Sequence, residues 1–280
     1  MPTVQSLVIG LIVLSAIFWL VERWRPRGDP RRTGADTRTD LIYWFFTPLV
    51  TRSVTRIALG IVFLLVARSE GLSFEDFRRL VSTRQTWASS LPLIVQIPLL
   101  LLVGDLLAYW SHRLFHGTWL WPFHAVHRSS TSVDWLSSVR LHPINDVVTR
   151  LLQVVPLYWM GFSGTAVAAF VPFLTLYALV LHANVPWTYG PLRYVIASPA
   201  FHRWHHTTES EGLDKNFAGM FPFIDLVFGT FYMPVGRQPE RFGITGARGA
   251  HRISRAGGLS IQETIDVVAT WARTDSLGEE

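Results

Sequence analysis

An all-α integral membrane protein is the fold this sequence predicts: a bundle of about four transmembrane helices, a helical hairpin among them, under a cytoplasmic cap of histidine-rich helices. Three observations lead there. Apolar residues make up 49% of the 280 and charged residues 16%, against roughly 25% charged in an average soluble domain. Apolar runs recur at lengths near the ~20 residues that span a bilayer. Nine of the ten histidines fall between His112 and His206. With no cysteine, disulfides, cysteine-held zinc, iron–sulfur clusters and thiol nucleophiles are excluded. A net charge of +5 in so apolar a chain points to a membrane surface, and no nucleic-acid partner is expected.

Val4 to Val21 is uncharged and just long enough to cross. A secretory signal peptide would start basic and end in small residues; this run ends in Phe18, Trp19 and Leu20, which favours a retained span. Arginines follow at positions 23, 25, 27, 31, 32 and 38. By the positive-inside rule that loop lies in the cytoplasm and the N-terminus outside. Leu41 to Ala67 is the second span, interrupted by Arg52 and Arg56, which either snorkel or mark a first half lying in the interface. Leu91 to Trp110, whose only charge is Asp105, returns the chain to the cytoplasmic side.

Val147 to Leu181 is too long for one crossing and slightly short for two, with Gly161, Phe162, Ser163 and Gly164 midway. A hairpin that dips into or just crosses the membrane fits, and it leaves the histidines on either side on one face. Beyond Leu181 no run reaches spanning length. Arg237 to Gly257 carries five arginines against one glutamate and reads equally as a tail on anionic headgroups or as a solvated one. Leu259 to Arg273 has only a weak helical pattern.

His112 and His116 stand at i and i+4 in SHRLFH, one turn beyond the third span, and His124 and His127 at i and i+3 in FHAVHRSS. His182 ends the hairpin in LHANVPW, while His202, His205 and His206 share a face of FHRWHH if that segment is helical. Such spacings let imidazoles converge on one metal ion or a close pair. Neutral imidazole suits iron, zinc, copper and nickel. Eight or nine histidines exceed the three or four ligands of one zinc site, so two metals sharing the set account for the number. His142, in RLHPIND, is either a ninth ligand or part of a turn with Pro143 and Asp146; His251, alone in the tail, reads as no ligand. Asp105 lies on one helical stripe with His112 and His116. It either hydrogen-bonds a ligand imidazole, binds metal, or pairs with an arginine such as Arg113.

HRLFH, HAVHRS, RLHP, HAN, HRWHH, DKNFAG and DLVFGT, in that order from about Gly104 to Thr230, resemble the fatty acid hydroxylase/sterol desaturase superfamily of membrane di-iron oxygenases. The boxes of that family run HxxxH, HxxHH and HxxHH. His112 and His116 fill the first, His124 and His127 two thirds of the second, and His202, His205 and His206 the third. The resemblance implies that His182 is a further ligand and that the metal face is cytoplasmic. It makes Asp214 and Asn216 the polar pair of the downstream segment. Asp105 and Asn184 are expected as catalytic residues. Two positions depart. Arg128 stands where the second box ends in histidine; a guanidinium offers no lone pair, so one iron has an open or water-filled position, or His142 substitutes. Ile224 stands where tryptophan often precedes the aspartate.

The family likeness implies two iron ions (zinc replacing iron in purified protein) and O2 activation. One oxygen atom enters a C–H bond of a lipid-like substrate, fatty acyl, sterol-like or related, and the other leaves as water. Because the chain has no glycine-rich dinucleotide fingerprint, cysteine or cytochrome-type haem domain, a separate reductase, ferredoxin-like or cytochrome-like electron donor is expected. On this reading residues 1–90 hold the N-terminal spans, 91–235 the catalytic domain and 236–280 the basic tail, in a bacterial inner membrane. Desaturation stays open, as does a non-catalytic member whose turnover is lost through Arg128. A zinc hydrolase would show HExxH, but Arg113 and Arg203 follow the leading histidines. A haem protein or metal carrier needs fewer histidines.

Overall fold

A computed structural model describes residues 2–24, 34–83, 85–117 and 119–244; Arg25, Arg27, Arg31, Arg32, His251, the segment Leu259 to Arg273 and the rest of the tail beyond residue 244 lie outside the described residues. Among those described, the secondary structure is helical, with one isolated bridge between Thr207 and Phe242 and no strand. Helix α1 (Val4–Trp24) exposes Val8, Ile9, Ile12, Val13 and Ile17 on one side and turns Leu11, Leu14, Phe18 and Val21 toward the protein on the other. Helix α2 (Gly34–Phe46) passes through a π turn at Thr47–Thr51 into α3 (Arg52–Ser69). Pro48 lies in that turn, where a widened helix accommodates a residue with no N–H. The continuous helix Asp36–Ser69 is 34 residues long and contains the expected second span. Helix α4 (Phe74–Thr83) buries Phe77 against Phe63 and Tyr158. Helix α5 (Leu93–Gly117) runs past the expected end at Trp110 and carries His112 and His116 on the same rod. Three helices, α1, Asp36–Ser69 and α5, are thus long and apolar enough to cross a membrane.

The hairpin appears as α7 (Pro143–Trp159) and α8 (Gly164–His182). Gly161 joins them at a φ of 87°, a left-handed conformation natural to glycine, and the Thr86 side chain occupies the space a Cβ would need. Ser163 caps α8 through the Ala166 N–H at 3.1 Å. Helices α5, α7 and α8 pack over Leu100, Leu157, Phe162, Val167 and Phe170. A second core of Phe18, Trp44, Trp135, Leu179 and Val185 joins α1 and α2 to α8.

Polar contacts fix which helix ends meet. Glu22, near the end of α1, accepts the Asn184 N–H at 2.9 Å just beyond α8. Asp36, near the start of α2, pairs with Arg140 at 2.7 Å, just before α7. The end of α5 joins the same pole, as do the short helices α6 (Trp121–Arg128), α9 (Pro199–His206) and α10 (Phe223–Val227). Helix α9 begins at Ser198, whose Oγ accepts the Phe201 N–H, followed by Pro199 in the first turn, where its missing N–H does no harm.

Candidate metal centre

Eight of the nine histidines expected as ligands converge into two groups at that pole: His112, His116, His124 and His205 in one, His127, His182, His202 and His206 in the other. Within each group one ring nitrogen per residue lies within 4.8 Å of the others. The i, i+4 pairs stay together, His112 with His116 and His202 with His206. Helices α6 and α9 each divide their histidines between the groups. His112 Nε2 is 3.1 Å from His124 Nε2. His182 Nε2 lies 3.4 Å from His127 Nε2 and 3.2 Å from His202 Nε2, which is 3.1 Å from His206 Nε2.

The opposite nitrogens decide which of these atoms are bare. His112 Nδ1 lies 2.8 Å from the Phe217 carbonyl oxygen, His205 Nδ1 2.9 Å from that of Lys215, His127 Nδ1 3.2 Å from that of Arg140 and His182 Nδ1 2.8 Å from that of Ala178. A carbonyl only accepts, so each Nδ1 carries the proton. His116 donates likewise to Asp214 Oδ1 and His124 to Asn145 Oδ1, both at 3.0 Å. In these six neutral rings Nε2 is a lone pair. The lone pairs of His112 and His124, and of His127 and His182, therefore face each other at distances that repel unless a cation sits between them. His206 Nδ1 is buried without a hydrogen-bond partner. Burial, reinforced by neighbouring imidazoles and by Arg128, holds His124, His127, His202, His205 and His206 well below the ordinary histidine pKa, so they are neutral at pH 7. Six bare Nε2 atoms, four in the first group and two in the second where His202 and His206 complete the set, suit first-row transition-metal ions, iron among them.

His142, Asp105 and Asn184 lie in neither group. His142, expected as a ninth ligand, caps α7 instead: its Nδ1 accepts the Ile144 N–H at 3.1 Å and its ring packs against Phe123. Asp105 touches no ligand ring. Its carboxylate accepts the backbone N–H groups of Gly219 at 2.8 Å, Met220 at 3.1 Å and Phe221 at 2.7 Å. Asp225 takes those of Phe217 at 2.8 Å and Ala218 at 2.9 Å. Two buried carboxylates thus hold five consecutive N–H groups, and the loop they hold presents the Phe217 carbonyl to His112. Asn184 Oδ1 accepts from Arg203 Nη2 at 2.7 Å, tying the end of α8 to α9.

Asp214 and Asn216 sit at φ 55° and 59°, which Asp and Asn tolerate better than other residues with a Cβ. The buried Asn216 amide donates to the carbonyls of Phe201 at 2.9 Å and Tyr232 at 2.7 Å. Ile224 is core, packed with Tyr109 and Phe217. Arg128 is buried at the edge of the first group, its Nη2 donating to the Thr207 carbonyl at 3.1 Å and its Nη1 3.4 Å from His205 Nε2. Burial pushes its pKa down to about 10, which leaves it cationic at pH 7.

Sequence reasoning missed Asn145 and Arg140, which flank His142 in RLHPIND and orient His124 and His127. Arg140 also binds Asp36 and Asp40, anchoring α2 at the site. Only their nearness to a conspicuous histidine marks them, since their partners lie on other elements.

Residues 97–230 match the family model described as fatty acid hydroxylase. The chain is 32% identical over 168 residues to ornithine lipid hydroxylase OlsE of Rhizobium tropici, covering 57% of this chain and 49% of that one. It is 32% identical over 124 residues to alkylglycerol monooxygenase of Homo sapiens, covering 44% and 27%. It is 32% identical over 139 residues to very-long-chain aldehyde decarbonylase GL1-5 of Oryza sativa subsp. indica, covering 45% and 22%. The matches therefore span about half the length of the first relative and about a quarter of the other two. No solved structure matches.

Proposed function

We propose that the chain, whose residues 97–230 match the fatty acid hydroxylase family model, is a membrane-bound di-iron oxygenase that hydroxylates a C–H bond of a lipid-like substrate. The observation that carries this reading is the pair of four-histidine groups, in each of which one ring nitrogen per residue lies within 4.8 Å of the others. We assign one iron to His112, His116, His124 and His205 and the other to His127, His182, His202 and His206. When bound, the iron pair supplies O2 activation: substrate, O2, two electrons and two protons yield the hydroxylated product and water.

The chain's own share is positioning and exclusion of water. The Nδ1 donors fix the tautomer and rotation of six of the eight rings. Trp121 and Phe217, with ring centres each 5.0 Å from that of His116, wall the first group with apolar surface. The electrons come from a separate donor, since neither cysteine nor a dinucleotide fingerprint is present in the sequence. The relatives' names, an ornithine lipid hydroxylase, an alkylglycerol monooxygenase and a very-long-chain aldehyde decarbonylase, support a substrate with an apolar chain.

We place the histidine pole and the C-terminus in the cytoplasm of a bacterial inner membrane, with the arginines between positions 23 and 38 supporting that side. Helices α1, Asp36–Ser69 and α5 cross, and the α7–α8 hairpin enters the membrane and returns. Residues 91–235 form the catalytic domain, between the N-terminal spans 1–90 and the tail 236–280.

Protein from iron-supplemented cells is expected to hold about two irons per chain with the Mössbauer signature of a coupled pair. It should consume O2 only with lipid and reductant, and add one oxygen atom to the lipid. Folded protein with one metal or none sinks the di-iron reading. Iron without O2 uptake means a non-catalytic member, and loss of two hydrogens from the lipid means a desaturase. His205→Ala should lose iron and turnover yet still insert into the membrane.

A further inference from the structure

The histidine groups leave unused a set of arginines on the outer face of the helical bundle. Arg52 and Arg56 stand one turn apart on α3, within the apolar helix Asp36–Ser69, and Arg150 stands on α7. Together they line a cleft of about 440 Å³ between α3, α7 and α8, whose apolar wall includes Leu59 and Leu176. Arginine inside a span is costly unless something answers its charge.

Among the described residues one carboxylate does so. Asp146 lies 3.5 Å from Arg150 Nε through Oδ1, while its Oδ2 accepts the Thr55 hydroxyl at 2.6 Å. The contacts of Arg52 and Arg56 are with neutral oxygens: Arg56 Nε donates to the Arg52 carbonyl at 3.0 Å, and Arg52 Nη2 to Thr175 Oγ1 at 3.4 Å. Three guanidiniums against one carboxylate leave a surplus of positive charge beside an apolar wall. An oxyanion head on an apolar chain complements both features. Guanidinium binds such heads with paired, charge-assisted hydrogen bonds, and basic pockets between transmembrane helices take acidic lipid headgroups.

We propose that this cleft binds an acidic membrane lipid, with its phosphate or carboxylate head on Arg52, Arg56 and Arg150 and its chains along Leu59 and Leu176. Inorganic phosphate shares the head chemistry and lacks the chains. The site is separate from the histidine groups and does not depend on the proposed reaction. Thr175 precedes His182 by seven residues on α8, roughly 10 Å of helix.

The test is native mass spectrometry of the full chain released from phosphatidylcholine vesicles doped with phosphatidylglycerol. The wild-type protein should retain phosphatidylglycerol. Arg52→Gln/Arg56→Gln should retain about tenfold less, having lost two charge-assisted contacts, and Arg79→Gln, an exposed position on α4, should match the wild type. Helical content by circular dichroism, unchanged in the double variant, separates loss of the site from loss of the fold. If the double variant does not fold, the single exposed change Arg56→Gln reads the same retention. Equal retention by variant and wild type overturns the proposal. So does equal retention of phosphatidylcholine, or displacement of phosphatidylglycerol by millimolar inorganic phosphate, which would make the cleft a plain oxyanion site.

Discussion

Arg128 places a fixed positive charge 3.4 Å from a nitrogen that faces the first proposed metal position. A cation there opposes a metal ion, and the guanidinium has no lone pair to offer in return. Arg128→His should therefore hold metal longer against a chelator, on the order of tenfold; an unchanged off-rate places residue 128 outside the site. Asp105 acts at one remove. Asp105→Asn turns amide hydrogens toward the N–H groups of Gly219 to Phe221 and should cost on the order of 3 kcal/mol. The loosened Phe217 carbonyl should then release metal from the first group before the second, seen as stepwise loss during dialysis. The eight clustered histidines were legible because residue type and i, i+3 or i+4 spacing carry the chemistry locally. The positions of Asp105 and His142 were not, because each is decided by the backbone it meets. For Asp105 that backbone arrives more than a hundred residues later in the chain.

At the scale of the element, close approach governs the bundle. A Cβ on Gly104 of α5 would collide with the Phe170 ring on α8. Gly104→Val should cost about 1–3 kcal/mol by overpacking, read as a lower midpoint of thermal unfolding in detergent, with Phe170→Leu in the same chain recovering part of it. A second junction is ionic. Arg140→Leu leaves Asp36 and Asp40 buried without their guanidinium and should destabilise by about 3–5 kcal/mol; denaturant titration checks it. Hydropathy located α1, the long second helix and the hairpin turn at Gly161. It stopped α5 at Trp110, because Ser111, His112 and Arg113 are polar; the helix continues because its last turns face the protein interior, where histidine and backbone carbonyls answer one another. The amphipathic α4 gave no apolar run for such a reading to find.

At the scale of the whole molecule, the proposed orientation predicts which surfaces a reagent reaches. The chain has no cysteine, so single cysteines can be introduced without background. Thr3→Cys and Ser210→Cys, both at exposed positions, should react with an impermeant maleimide from opposite sides of intact cells: Thr3→Cys from outside, Ser210→Cys only after lysis. Labelling of both from one side inverts or breaks the proposed topology. The all-helical architecture was readable from apolar runs and low charge. That the histidine-bearing helix ends share one face was expected from the returning hairpin; the contacts that fix them were not, since Glu22 meets Asn184 and Asp36 meets Arg140 across long separations. Helix α9 bears on how the protein is made. When a ribosome has completed α8, the first group has three of its members and the second only two; all the rest arrive on the eight residues Pro199–His206. Both sites thus close with one late piece of chain, and a nascent polypeptide stalled before Pro199 holds no complete set. On the proposed reading, loading of either site with metal therefore waits until α9 has been made and packed into place.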